Sequence, residues 1–214
     1  MKAKAHIRYK LDDGTNVPGV TTVLGILNKP ALVKWANNLG FQGIDSTKYR
    51  DAMADIGTLA HQMIVDYFNK VETDTTDYSK NQIDLAENCL ISFWEWAKGH
   101  KIEVIKAEGQ LVSSRYGYGG TIDCYCELDG VLTLLDFKTG KAIYPEMFYQ
   151  LAAYSQLLVE NWYPVLSARI LRIGRDESEG FEERLITDTS KHFELFKHCL
   201  AVYNLQRDIR RDAE

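Results

Sequence analysis

Apolar residues fall at helical spacing through the first half of this chain and alternate as in strands through its middle. Ile7 and Tyr9 alternate with charged residues and Asp13-Gly14 supplies turn chemistry, so residues 6–22, starting at His6, predict a short hairpin. Thr21-Thr22 would cap a short helix reaching Leu27, and Pro30 would separate it from a second helix over residues 32–39. Ile56, Leu59, Ala60, Met63, Ile64, Tyr67 and Phe68 recur on one helical face, which predicts a helix over residues 52–69. Leu85, Ala86, Cys89, Phe93, Trp96 and Ala97 do the same over residues 82–98, with a polar loop at 73–79 between the two. Beyond Lys101 the period shortens to two. Residues 102–112, 121–128 and 131–138 read as strands, and Asp129-Gly130 between the last two is a strong hairpin turn. A helix opened by Pro145 follows over 145–160, then strands at 166–173 and 183–187, then a helix over 190–209. Helices, an antiparallel meander, then helix, strand and helix make a mixed sheet flanked by helices, in the α/β or α+β class.

Composition narrows this to one folded domain. The 214 residues are 45% hydrophobic and 11% aromatic, which suffices for a buried core and excludes a disordered chain. No linker or repeat divides them, so the expected organisation is a helical part over about 20–100, a sheet core over about 101–175 and a closing helix over about 190–210. No apolar run approaches the roughly 18 residues that a membrane span needs. MKAKAHIRYK is not followed by the apolar stretch of a secretory signal, so a cytoplasmic location, without membrane association, is the expectation. Cys89, Cys124, Cys126 and Cys199 are expected as reduced core thiols; a C-x-C pair could begin a metal or iron–sulfur site, but the other two stand alone on helical stretches. The net charge of −5 argues mildly against broad nonspecific nucleic-acid binding, without excluding an acidic site whose charge a bound cation cancels. The basic groups Lys2, Lys4, Arg8 and Lys10, and Arg207, Arg210 and Arg211, read as solvated surface.

The candidate chemistry lies on the middle hairpin. With Asp129-Gly130 as the central residues of a type I′ turn, Leu128 faces Val131, Cys126 faces Thr133 and Asp123 faces Asp136. Thr121 then shares a side with Asp123, and Lys138 with Asp136. Like charges across a strand pair are destabilising. One lysine cannot neutralise two carboxylates, and a hard divalent cation, Mg²⁺ or Mn²⁺, resolves the repulsion best. Asp136 and Lys138 also interrupt an otherwise apolar strand of Val131, Leu132, Leu134, Leu135 and Phe137, which is unlike a solvated face.

Three more groups are open on the residues alone. Glu108, on the strand before the hairpin, is a further ligand or an exposed-face residue; the link over 113–120 leaves its register undetermined. His61 reads as an ordinary packed or exposed histidine, although Gly57 one helical turn earlier would admit a close approach. Gln150 and Tyr154 share a helical face, which suits either a phosphate or lysine contact or a surface pair.

Taken in order, GTLAH at His61, Glu108, GGTID ending at Asp123, LLDFKTGK with Asp136 and Lys138, and QLAAY with Gln150 and Tyr154 resemble the PD-(D/E)XK nuclease superfamily, in its RecB-like and phage exonuclease branch. VTTVLGILNKPALVKWA is similar to the entry segment of phage-type members, and the likeness runs over about residues 6–160. The resemblance implies a restriction-endonuclease-like core and a metal-dependent DNA nuclease, with Asp123, Asp136 and the Phe137 carbonyl as central metal ligands. His61 and Glu108 would complete a one- or two-metal centre, Lys138 would orient or activate the attacking water, and Gln150 and Tyr154 would support Lys138 or the DNA backbone. Relatives with this core often carry four cysteines for an iron–sulfur cluster; their grouping is not reproduced here, and no cluster is expected. An exonuclease acting on DNA in phage-type recombination, repair or processing is the leading expectation, in the bacterial host cytoplasm if phage-encoded. A structure-selective endonuclease, a binding module with a vestigial site and a non-catalytic metal-binding protein are the alternatives. A separate single-strand annealing protein is a partner by analogy only, and the subunit number, monomer or ring, is not encoded legibly.

Overall fold

The computed structural model describes residues 7–213, so Lys2, Lys4 and the His6 start of the first hairpin lie outside the described residues. The chain opens with β1 (Tyr9–Lys10) and β2 (Asn16–Val17), an antiparallel pair around a turn that Gly14 completes at φ 84°. Helix α1 (Val20–Leu24) is shorter than expected and Thr21-Thr22 does not cap it; Gly19 occupies the cap position, without a side-chain bond, and both threonines lie inside the helix. Pro30 is the first residue of α2 (Pro30–Phe41), where a missing N–H costs nothing.

Helix α3 (Ser46–Asn69) begins six residues before the expected start at residue 52, because Asp45 accepts from the Thr47 and Lys48 amides and satisfies two orphan donors of the first turn. Helix α4 (Lys80–Ala97) starts at a capping box between Ser79 and Gln82. Then come β3 (Ile102–Ser113), β4 (Tyr118–Leu128) and β5 (Val131–Lys138), α5 (Pro145–Glu160), β6 (Ser167–Ile173), β7 (Phe181–Ile186) and α6 (Ser190–Asp212). Asp129 and Gly130 have φ of 51° and 85°, the signature of the type I′ turn, and the pairs Leu128↔Val131 through Cys124↔Leu135 follow the register it dictates.

The main sheet has the order β3-β4-β5-β6-β7. Only β5 and β6 run parallel, joined by the α5 crossover. Helices α1, α5 and α6 cover one face, around Tyr125, Leu134, Leu157 and Phe196; α3 and α4 cover the other, around Ile64, Phe93, Leu135 and Phe137. Each fully buried Leu or Phe contributes roughly 1.5–3 kcal/mol. Packing on these two faces, more than local propensity, therefore holds the helices in place. All four cysteines are free and buried, as expected of core thiols. Among the described residues no helix is long and apolar enough to cross a membrane.

Candidate metal centre

The hairpin register carries Asp123 toward Asp136, but the two do not stand over one face as a simple pair. Ladder pairing stops at Cys124↔Leu135. One step beyond, Asp123 Oδ2 accepts from the Phe137 amide at 2.7 Å, so this carboxylate lies in the fork where β4 and β5 part. The alternation of β4 also breaks there. Ile122 packs on the α5 side, while Cys124 packs on the α3 side. Residues two apart on an undisturbed strand share a face, so the strand turns over at Asp123.

The neighbouring strand turns over with it. A Cβ on Gly109 would run into the Lys106 side chain and Ile122, so positions three apart on β3 share a side. Between them Glu108 has φ 48°, a left-handed conformation that costs a residue with a Cβ roughly 1–2 kcal/mol. Its place in the register, between Ala107↔Cys124 and Gly109↔Ile122, is opposite Asp123. Strain of this kind collects at functional sites. Here it brings Glu108 to Asp123.

Helix α3 supplies the third group. His61 Nδ1 is 3.4 Å from Asp123 Oδ1, and the imidazole stands edge-on to Phe137 with ring centroids 5.9 Å apart. One donor atom each from His61, Glu108 and Asp123 lie within 4.8 Å of one another. They line a cleft of about 280 Å³ together with Gly57, Thr58, Gln62 and Thr121. Asp136 is outside this trio. It is 1% exposed, with Lys138 Nζ 2.5 Å from its Oδ2. That contact is an ion pair, and apart from Lys138 both carboxylate oxygens are buried without a hydrogen-bond partner.

The protonation states reflect this crowding. Burial drives the Asp136 carboxyl up, to about 6, and Asp123 adds to the rise against the pull of Lys138. Burial would depress Lys138, but the charges of Asp136 and Asp123 outweigh it and hold the ammonium above its ordinary range. Burial likewise opposes, and Asp123 overcomes, the protonation of His61, which is raised; Asp123 is lowered because His61, Lys138 and the Phe137 amide together exceed its own burial. Glu108 is pushed up to about 7 by burial in the cleft and by Asp123. Glu108 is nonetheless exposed to solvent, which screens its charge.

The helix pair of α5 is assembled as a pair. Gln150 Nε2 donates to the Tyr154 hydroxyl at 2.9 Å, and the buried phenol is held well above its ordinary range by burial and by Asp136. Sequence reasoning missed what makes room for it. A Cβ on Gly120 would sit 2.6 Å from the Tyr154 ring, and one on Gly119 would sit 2.4 Å from the ring of Tyr9. The consecutive glycines of GGTID thus let one ring onto each side of β4, and glycine inside a strand is the signal that marks such approaches. Tyr9 reaches on to Thr121, with the two hydroxyls 3.0 Å apart. Gly57 does admit a close approach, by Thr139 on the loop after Lys138, whose Oγ1 would lie 2.8 Å from an added Cβ. Gly120→Ala is expected to displace Tyr154 and to lose about 1–3 kcal/mol of stability, as overpacked cores do, readable as a lowered urea midpoint with an unchanged slope.

The residues fit a hard divalent cation. The set offers carboxylate oxygens and an imidazole nitrogen, and the buried Asp136 carboxylate, faced by Lys138 alone at Oδ2, keeps acceptor capacity that a cation would satisfy.

No protein-family model and no curated protein matches the chain. Among solved structures, an alkaline exonuclease (LHK-Exo) from Laribacter hongkongensis superposes with a TM-score of 0.44 at 9% identity, over 75% of this chain and 86% of that one. The same enzyme in complex with dAMP gives 0.43 at 10%, over 76% and 90%. A protein of Eubacterium rectale to which an exonuclease activity has been ascribed gives 0.51 at 14%, over 74% of this chain and 66% of that one. This last likeness is one of fold. The mixed five-stranded sheet flanked by helices is the restriction-endonuclease-like α/β architecture.

Proposed function

We propose that this chain is a divalent-metal-dependent deoxyribonuclease that works as an exonuclease on DNA ends, in phage-type recombination, repair or processing. The observation that carries the reading is the meeting of His61, Glu108 and Asp123 in one cleft beside a buried Asp136–Lys138 pair. The short motifs of the sequence fall on these same residues, and the Eubacterium rectale protein that shares the fold is named for such an activity.

Asp123, Asp136, His61 and Glu108 would hold Mg²⁺ or Mn²⁺, which when bound would polarise the scissile phosphodiester and the attacking water. The other work falls to the chain. Lys138 holds a positive charge at the floor of the site, where negative charge builds on the phosphoryl group, and partial burial makes that charge count for more than it would in water. The Phe137 amide fixes the rotation of the Asp123 carboxylate. Gln150 and Tyr154 form a bonded pair on α5 whose buried phenol feels the charge of Asp136, and Asp123 raises the proton affinity of His61, so a cation bound there would compete with that proton.

Digestion of end-labelled DNA with Mg²⁺ or Mn²⁺ tests this. Label should be released from linear DNA while covalently closed circles stay intact. Equal cutting of closed circles would make the chain an endonuclease, and failure to cut any DNA with either metal would sink the nuclease reading.

A further inference from the structure

Tyr9 belongs to the opening hairpin, yet its ring is fixed against the main sheet. A Cβ on Gly119 would run into its Cβ and Cγ, and one on Gly19 would sit 3.0 Å from its Cε2, so the ring fits because both positions are glycines. The backbone holds the hairpin there: the Gly119 amide donates to the Pro18 carbonyl at 2.9 Å, and Gly19 and Gly119 form a parallel bridge. A phenylalanine would serve this packing as well. The hydroxyl is the part that packing does not explain, and it meets the Thr121 hydroxyl at 3.0 Å, across 112 positions of sequence.

Thr121 is a wall of the cleft. It lines it two residues from Asp123 on β4, roughly 7 Å along the strand. Glu108 and Asp123 on the same wall are carboxylates, which repel a phosphodiester, so a strand entering the cleft needs hydrogen-bond donors as well as a cation. Among the neutral groups of the lining, Gln62 has its Nε2 turned to the buried Asp66 at 2.7 Å. Thr121 is held differently. A phenol is the more acidic hydroxyl and the stronger donor, so Tyr9 donates and the Thr121 oxygen accepts. Tyr9 is the one hydrogen-bond partner of that hydroxyl among the described residues, so the Thr121 proton is left to donate elsewhere.

We infer that the Thr121 hydroxyl donates to a phosphate oxygen of the DNA strand held in the cleft, and that Tyr9 is a positioning residue that aims it. The inference rests on the nuclease reading for the identity of the strand and extends it to how the strand is seated. With Tyr9 as its donor, the Thr121 hydroxyl points its own hydrogen away from Tyr9 before the strand arrives, so less rotational freedom is lost on binding. A bond of this kind to a charged oxygen is stronger than one between neutral groups.

The experiment is fluorescence anisotropy of a labelled oligothymidine with the full chain, Ca²⁺ replacing Mg²⁺. It compares the unaltered protein with Thr121→Val, Thr121→Ser, Tyr9→Phe and the double variant Tyr9→Phe/Thr121→Val. Thr121→Val keeps the shape and loses the hydroxyl, and should weaken binding about tenfold, the scale of one hydrogen bond to a charged group. Thr121→Ser keeps the hydroxyl and should bind within about twofold of the parent. Tyr9→Phe keeps the ring between the two glycines and should weaken binding about threefold. Because Tyr9 acts through Thr121, its substitution should add nothing in the double variant. Thermal melts accompany each titration; a role in the fold alone would lower the midpoint and leave the affinity at the parent value. Parent affinity in Thr121→Val overturns the proposal. So does a Tyr9→Phe loss repeated in full on top of Thr121→Val, which would put Tyr9 on the strand directly. Should Thr121→Val not fold, parent affinity in Tyr9→Phe overturns it instead. The nuclease reading fails separately, as oligothymidine bound by the unaltered protein but left uncut with Mg²⁺ or Mn²⁺; a chain that binds none of it sinks both.

Discussion

Asp136→Ala and Asp123→Ala should each lower metal-dependent DNA cleavage by at least on the order of 10²–10³-fold, the scale seen when a group that stabilises transition-state charge is removed. The two act through different surroundings. Asp123 is tied to the Phe137 amide and His61, so its loss leaves a fork without its central carboxylate. Apart from Lys138, Asp136 has no hydrogen-bond partner for either oxygen, so its loss removes acceptor capacity that a cation would otherwise satisfy. Asp136→Asn keeps the volume and a carbonyl oxygen for Lys138, and should fold as the parent does while still failing to cut. Steady-state cleavage rates alongside circular dichroism decide this, and full activity in a folded Asp123 or Asp136 variant would rule out the assignment.

The second large effect is on stability. Lys138→Met should cost roughly 3–5 kcal/mol at about pH 8, as breaking a buried ion pair does, and much less near pH 5.5. The folded Asp136 carboxyl lies at about 6 against an ordinary 3.8. Between those values the folded chain holds a proton that the unfolded chain has released, so stability falls as pH rises through that window. His61, raised above its ordinary 6.5, acts in the same sense: its contribution is complete below 6.5 and fades as pH climbs through the folded value. Without the lysine charge the Asp136 carboxyl moves further up, and ionising it at high pH costs more. Urea melts of parent and variant at the two pH values, with EDTA and then with Mg²⁺, should show the gap widening with pH and narrowing when the cation is added. A pH-independent gap would mean that Lys138 serves the fold through packing alone.

How far the sequence went is visible at particular residues. Period-two alternation around Asp129-Gly130 gave β4, β5 and their register, because a two-residue turn leaves no freedom in which residues oppose. Apolar stripes gave α3, α4 and α5, but not the start of α3, which depends on Asp45 and not on any apolar position. The site was legible as a set of residues and less so as an arrangement. Strict alternation placed Asp123 and Asp136 as a facing pair. The structure instead sets Asp123 in the fork with His61 and Glu108, because both β3 and β4 turn over there. A left-handed residue inside a strand has no composition signal, so the position of Glu108 could not be read. Nor could that of His61, whose approach depends on how α3 lies across the sheet. The glycines at 119 and 120 carried a signal that was available, two small residues in a strand that needs none.

The most direct check on the metal centre is an anomalous difference map from crystals soaked in Mn²⁺. A peak in the cleft against Asp123, shared with one or more of His61, Glu108 and Asp136, is the predicted result. A map with no manganese against Asp123, from protein that cuts DNA in the same Mn²⁺ buffer, would contradict it.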